Sequence, residues 1–217
     1  MPARLRPTAP IAADAVLVGD PGRALMLAQE LLEQPKMSNH ARGLWGYSGR
    51  TPAGRELSVM STGMGGPSAA IVLADLAELG VGRAVRVGTG TAIGEDAEPG
   101  QLIVVAAAHL GATAGSEAAR PDRDLTAALA HELGGRAMLA ESVSFDTLHP
   151  PGAAPAGAGE IADMQTATLL ARAGDLGLSL AAVLIVAASA SGERLGEEQE
   201  VDAAKRAGNA AATVLSG

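Results

Sequence analysis

The sequence predicts an α/β fold in which helices are layered on a sheet containing parallel strands, and three observations support this. A glycine-rich turn at 61–68 opens a helix that ends at Gly80, and it lies between two apolar strands, Glu56–Met60 and Ala84–Val87. Such a strand, helix, strand unit sets its strands parallel. Short apolar runs, among them Ala15–Val18, Gln101–Ala107 and Leu180–Ala187, alternate with longer stretches of helical periodicity. The 217 residues are 47% hydrophobic but hold one Trp, one Tyr and one Phe. The core must therefore be built from Val, Leu, Ile, Met and Ala, which suits helices lying close on a sheet.

Taken in order, residues 1–13 are rich in Pro, Arg and Ala without periodicity and predict an extended or mobile arm. The strand Ala15–Val18 runs into Gly19-Asp20-Pro21-Gly22-Arg23, where Pro21 can begin a helix carrying Leu25, Leu27, Ala28, Leu31 and Leu32. Arg23 then stands in a first helical turn, where the macrodipole disfavours a cation. It either faces a bound anion or is a solvated surface arginine. Leu44–Ser48, the turn Thr51–Gly54 and Glu56–Met60 read as a hairpin. The next helix carries Ala70, Ile71, Leu73, Ala74 and Leu76.

Ala84–Val87 reads as the end of a buried strand before a flexible turn, Gly88-Thr89-Gly90-Thr91. Arg86 sits among apolar residues there, so its guanidinium needs a partner: a carboxylate such as Asp20, or a phosphate. Gly88 and Gly90 would let the backbone approach that partner, with Thr89 adding donors. Beyond the Pro99-Gly100 turn come the strand Gln101–Ala107, a patternless loop at 111–124, a helix Asp124–Leu133 and a strand Ala137–Val143. A low-complexity loop at 150–159, a helix Ile161–Ala173, the strand Leu180–Ala187 and a closing helix Glu197–Leu215 complete one domain spanning 1–217.

The formal charge of −8 without Lys or Arg clusters argues against nucleic acid and acidic membrane surfaces as partners. Absence of cysteine removes disulfide and thiolate metal chemistry, and His40, His109, His131 and His149 show no metal-ligand spacing, so no metal is expected. No apolar run approaches the roughly 18 residues of a membrane span, and the N-terminus lacks a signal-peptide core. A cytoplasmic location is the expectation. Gly63-x-Gly65 and Gly88-x-Gly90 each lack the third glycine of a dinucleotide-binding turn. His149 reads as a loop residue, Asp146 as a local cap or pair, and Glu193-Arg194 as a solvated loop pair.

Four separated motifs, Gly19-Asp20-Pro21-Gly22-Arg23, Arg42-Gly43, Ser61-Thr62-Gly63-Met64-Gly65-Gly66-Pro67-Ser68 and Arg86-Val87-Gly88-Thr89, resemble in order and spacing the nucleoside phosphorylase family. That family includes uridine phosphorylase and the hexameric bacterial purine nucleoside phosphorylases. The likeness covers residues 13–105, and Asp163–Leu170 extends it. It implies a three-layer sandwich around a mixed, partly barrel-like sheet, assembled as homodimers that associate into hexamers. The implied reaction is phosphate-dependent cleavage of a nucleoside to base and (deoxy)ribose 1-phosphate, with inorganic phosphate as co-substrate and no other cofactor. By this resemblance Gly19, Arg23, Arg86 and Thr89 hold phosphate, while Arg42 reaches into a neighbour's site. Met164 and Gln165 match a methionine and a glutamate that hold the ribose.

The departures are equally specific. Gln165 lacks the charge of the glutamate it replaces, and Ala188 stands where purine phosphorylases have an acid and uridine phosphorylase an arginine. The base-stacking aromatic falls at Leu148, which leaves Leu148, Ala187 and Ala188 as the base pocket. The uracil-reading Gln and Arg should lie in the loop that is here Gly, Ala and Pro. The arm lacks the family's neighbour-reaching histidine, although Arg4 or Arg6 could take similar space. The expected activity is a phosphorylase slow on ordinary nucleosides. The alternatives are a nucleoside- and phosphate-binding member impaired in catalysis and a nucleosidase, the latter disfavoured by the three phosphate arginines.

Overall fold

One long strand, β5 (Arg83–Ala92), has three neighbours, and this branching shapes the whole sheet. The computed structural model describes residues 2–111, 118–148 and 159–217. Before β5 come β1 (Asp14–Val18), α1 (Pro21–Leu31), β2 (Glu33–Asn39), β3 (Gly46–Arg50), β4 (Glu56–Ser61) and α2 (Gly65–Glu78). After it come β6 (Leu102–Leu110), α3 (Arg123–Leu133), β7 (Ala137–Ser144), β8 (Ile161–Asp163), α4 (Thr166–Leu176), β9 (Ser179–Ala188) and α5 (Glu197–Ser216).

The strands form one sheet in the order β2-β3-β4-β1-β5-β8-β7-β6-β9, and β9 returns to pair with β5. Strands β5, β8, β7, β6 and β9 thus close a ring, from which β1, β4, β3 and β2 extend. Parallel pairs (β1 with β4 and β5, β5 with β9, β6 with β7, β7 with β8) coexist with antiparallel ones (β2 with β3, β3 with β4, β5 with β8, β6 with β9). This is the mixed, partly barrel-like sheet expected from the resemblance.

Helices cover both faces. Along β9, Leu180, Ala182, Leu184 and Val186 pack in the core shared with α2 and α4, while Ala181, Val183 and Ile185 pack with α1, α3 and α5. A strand buried on both sides needs apolar residues at every position, which is why these strands read as continuous runs. Helix α5 meets the sheet through Ala203, Ala204, Ala207 and Ala211, all fully buried, so small side chains set the close spacing between layers. No helix among the described residues is long and apolar enough to cross a membrane.

The structure departs from the sequence-based expectation in four places. First, β2 was not foreseen: its residues Glu33-Gln34-Pro35-Lys36-Met37 are mostly exposed, without alternation, and Pro35 is tolerated because the strand is an edge. Second, residues 88–91 form no turn and continue β5. Their glycines serve close approach: a Cβ on Gly88 would lie 2.7 Å from Arg86 Nη2, and one on Gly90 would lie 2.6 Å from the Ala162 carbonyl oxygen of β8. Third, the helix expected over Ile161–Ala173 is split into β8 and α4, because the Asp163 carboxylate accepts the amides of Gln165 (3.2 Å) and Thr166 (3.0 Å) and fixes a bend between them. The loop expected at 150–159 and His149 fall largely outside the described residues, as do 112–117 of the loop expected at 111–124.

Fourth, the arm is extended but tethered. Asp75 on α2, 3% exposed, accepts the amides of Ala3 (2.7 Å), Arg4 (2.6 Å) and Leu5 (2.7 Å), and Leu5 is buried. The Arg4 and Arg6 guanidinium groups donate to carbonyls of the arm itself. Burial pushes the Asp75 pKa up, but the three amides and the Arg4 charge together outweigh it, leaving the pKa below the usual aspartate value. A depressed carboxylate pKa adds stability above the unfolded pKa of about 3.9, which is lost as pH falls through the lower folded value. The protection of the Leu5 amide, its intrinsic exchange rate over the observed rate at the same pH, should therefore be high at neutral pH and fall as pH drops below about 4; Asp75→Ala should show low protection at every pH, measured by mass spectrometry.

Candidate active site

Strands β1, β4, β5 and β9 run parallel in register, so their C-terminal ends open on one side of the sheet. In open α/β sheets that is where ligands collect, since the chain diverges there and leaves a crevice. Here the crevice is a cavity of about 450 Å³, bounded by Gly19 after β1, Gly63 after β4, Thr89 in β5 and Ala187 in β9. Its volume suits a small molecule.

Arg86 lies under this cavity with its side chain 5% exposed, folded across Gly88. Its Nε donates to Thr166 Oγ1 (3.0 Å), Nη1 to Gln165 Oε1 (2.7 Å) and Nη2 to Asp163 Oδ2 (3.0 Å). The charge partner is therefore Asp163, fully buried, and not Asp20, whose carboxylate caps α1 by accepting the Arg23 amide at 2.7 Å. A guanidinium has five N–H donors and three are engaged, which leaves two for a ligand. Asp163 also accepts from the hydroxyls of Ser144 and Thr166, so its neighbours all donate to it. Burial drives the Arg86 pKa down, Asp163 counters this, and the nearby Arg23 charge depresses it further. That last effect is informative: two guanidinium groups stand close enough to repel, beside the same cavity.

Arg23 does reach the cavity wall from the first turn of α1, but its guanidinium is paired with Glu200 of α5. Gln165 also faces the cavity. Its Oε1 accepts from Arg86 and from Thr62 Oγ1 (3.1 Å), and its Nε2 donates to the carbonyls of Gly63 (2.7 Å) and Gly65 (3.2 Å). The amide orientation follows from Arg86, which can only donate. With four bonds made, a ribose hydroxyl would have to displace one of them.

Of the residues singled out from the sequence, Gly19, Arg23, Arg86, Thr89, Leu148, Met164, Gln165 and Ala187 all line this cavity. Ala188 does not: it is 4% exposed, turned behind the wall that Ala187 forms. Arg42 is exposed and lies away from its own chain's cavity, at a left-handed backbone conformation (φ 60°). Sequence reasoning missed Phe145, Asp163 and Arg194 as wall residues. The lone Phe was a usable signal, whereas Asp163 was read as helical and Arg194 as solvated. Among the described residues no group of His, Cys, Asp or Glu is arranged to hold a metal ion.

Against known families, residues 14–217 match the profile described as the phosphorylase superfamily. A DeoD-type purine nucleoside phosphorylase of Clostridium perfringens (strain ATCC 13124) is 40% identical over 100 residues, covering 46% of this chain and 42% of that protein. The corresponding protein of Lactococcus lactis subsp. cremoris (strain MG1363) is 42% identical over 99 residues, covering 45% and 42%. That of Oceanobacillus iheyensis is 42% identical over 95 residues, covering 43% and 40%. The match thus spans less than half the length of these curated relatives.

The two arginine pairs differ sharply in what they contribute. Asp163→Asn would leave a buried guanidinium uncompensated and should cost about 3–5 kcal/mol. Glu200→Gln, at a pair 16% and 31% exposed, should cost roughly 1 kcal/mol or less. Urea denaturation of the two variants measures both.

Proposed function

The chain belongs to the phosphorylase superfamily, and on that premise we propose that it cleaves the N-glycosidic bond of a nucleoside with inorganic phosphate, releasing the base and (deoxy)ribose 1-phosphate. The observation that carries this reading is the convergence of Arg23 and Arg86 on one cavity at the C-terminal ends of parallel strands. Phosphate takes the two unengaged N–H groups of Arg86, displaces Glu200 from Arg23, and is completed by the Thr89 hydroxyl and the backbone at Gly19. Because each arginine already has a carboxylate partner, a third cation is needed to favour a dianion. Arg42 of a second copy supplies it in a homodimer, consistent with its exposure outside its own cavity.

The ribose lies along Met164 and Gln165, and the base reaches Phe145, Leu148 and Ala187. Held in line, a phosphate oxygen attacks the anomeric carbon as the base departs through an oxocarbenium-like state. The fixed guanidinium groups orient the nucleophile without reorganising during the step. Among the described residues that line the base end of the cavity none is a carboxylic acid able to protonate the leaving group. A positioned general acid is worth roughly 10²–10⁴-fold, so turnover of adenosine, inosine and uridine is slow. The same observation favours a second reading, a phosphate- and nucleoside-binding protein with negligible catalysis.

Release of base from 7-methylinosine, whose cationic base needs no proton, should exceed release from inosine by about 100-fold or more at saturating phosphate. Absence of both reactions in a protein that binds phosphate would establish the second reading, and release independent of phosphate would replace phosphorolysis by hydrolysis. For the dimer, Arg42→Ala and Arg23→Ala should each be inactive alone, and mixed subunits should regain activity because one hybrid site carries both arginines. A monomer by sedimentation, or no recovery on mixing, would count against Arg42 acting across subunits.

A further inference from the structure

Gln165 belongs to the cavity wall, yet it is 3% exposed and every polar atom of its amide is spent on the protein itself. Oε1 accepts from Arg86 Nη1 at 2.7 Å and from Thr62 Oγ1 at 3.1 Å, which fills both lone pairs. The single hydroxyl proton of Thr62 also lies within reach of the Val18 carbonyl (3.0 Å), but that carbonyl already takes the Thr62 amide at 2.7 Å, which leaves the proton for Gln165. Nε2 donates to the carbonyls of Gly63 (2.7 Å) and Gly65 (3.2 Å), which uses both its protons. Gly19 packs over the carbonyl end, where a Cβ would lie 3.7 Å from Oε1. The carboxylates of the wall do not take its place. Asp163 is sealed within the Arg86 network, and Asp20 caps α1 beside Arg23, at the end of the cavity assigned to phosphate. A sugar between the phosphate and the base therefore meets Met164 and Ala162 but no carboxylate free to accept its hydroxyls among the described residues.

We propose that Gln165 is a positioning residue, a neutral brace between Arg86 and the 63–65 turn, and that the site in consequence selects 2′-deoxyribonucleosides over ribonucleosides. The proposal rests on the phosphorolytic reading and gives it a sugar class. As the bond between C1′ and the base nitrogen breaks, its electron pair leaves with the base, a phosphate oxygen bonds C1′, and positive charge develops on C1′ and the ring oxygen. A 2′-hydroxyl withdraws electrons from that charge. An acceptor that polarises the hydroxyl offsets the withdrawal, and hydrogen bonds to it strengthen in the transition state of glycosyl transfer. Gln165 can accept from it only by giving up Arg86 or Thr62, which would leave a buried donor unpaired. A hydrogen at C2′ neither withdraws electrons nor requires a partner. Glutamate at this position would behave differently. It has no proton for the carbonyls of Gly63 and Gly65, so one oxygen is repelled from them toward the cavity while the other keeps Arg86.

The test is phosphate-dependent base release from 7-methylinosine and 7-methyl-2′-deoxyinosine, each corrected by an enzyme-free blank. The cationic base leaves neutral and the proton of HPO₄²⁻ stays on the sugar phosphate, so the two reactions differ only in the 2′-hydroxyl. The kcat/KM of the unmodified protein should favour the deoxynucleoside by roughly 10–100-fold, the effect of leaving a polar group unpaired. Gln165→Glu should lower that ratio by about tenfold or more, since a carboxylate then accepts the hydroxyl. Gln165→Ala should slow both nucleosides together through loss of the Arg86 brace, with their ratio kept within about threefold. Each ratio is taken within one protein, so a loss of folded fraction cancels. No preference for the deoxynucleoside in the unmodified protein, an unchanged ratio in Gln165→Glu, or a ratio that rises in Gln165→Ala would overturn the assignment. Release from neither nucleoside by the unmodified protein would instead overturn the phosphorolytic reading, and this one with it.

Discussion

A single buried ion pair, Arg86 with Asp163, organises the functional end of this molecule. Removing two charges from water is tolerable only when the pair has good geometry and its remaining hydrogen-bonding capacity is met. Here Thr166, Gln165 and Ser144 complete both partners, and Gln165 passes the network on to Thr62 and to the glycine carbonyls at 63 and 65. One network therefore joins β5, the turn before α2, the end of β7 and the start of α4. The walls of the cavity and the bend at the end of β8 depend on the same few bonds.

The composition of that network explains what a phosphate would meet. Arg86 arrives already neutralised yet with donors to spare, and Arg23 arrives with a partner that water can partly reach. An anion entering the cavity competes with Glu200, half-exposed, and not with Asp163, which is sealed. The difference in burial makes one arginine a fixed floor and the other an exchangeable arm.

Legibility in the sequence followed from how each feature is encoded. Buried strands and amphipathic helices carry periodicity, so β1, β4, β6, β7, β9 and the helices α1, α2, α3 and α5 could be read directly. Strand β2 could not, because an exposed edge is held by backbone hydrogen bonds that leave no pattern in Glu33-Gln34-Pro35-Lys36. Ile161-Ala162-Asp163 was too short to separate from the helix that follows. Most of the cavity was legible through arginines set among apolar and glycine residues, which signal a demand for a partner. Which partner satisfies that demand was not: Asp20 and Asp163 are both remote from Arg86 in sequence, and only the closed ring sets Asp163 beside the guanidinium. Arg194 lacked any such signal, since a charged residue in a loop is ordinarily solvated.

Closure of the ring by β8 has a temporal side as well. Its three residues bridge β5 and β7, and the last of them supplies the counter-charge to an arginine 77 positions earlier. Contacts of such separation form late, because the intervening chain must lose its freedom first. A chain emerging from the ribosome thus carries Arg86 without its counter-ion until residues beyond 160 have been made. During that interval the strand around it cannot be buried cheaply, which delays consolidation of the sheet until the segment that completes the cavity is present.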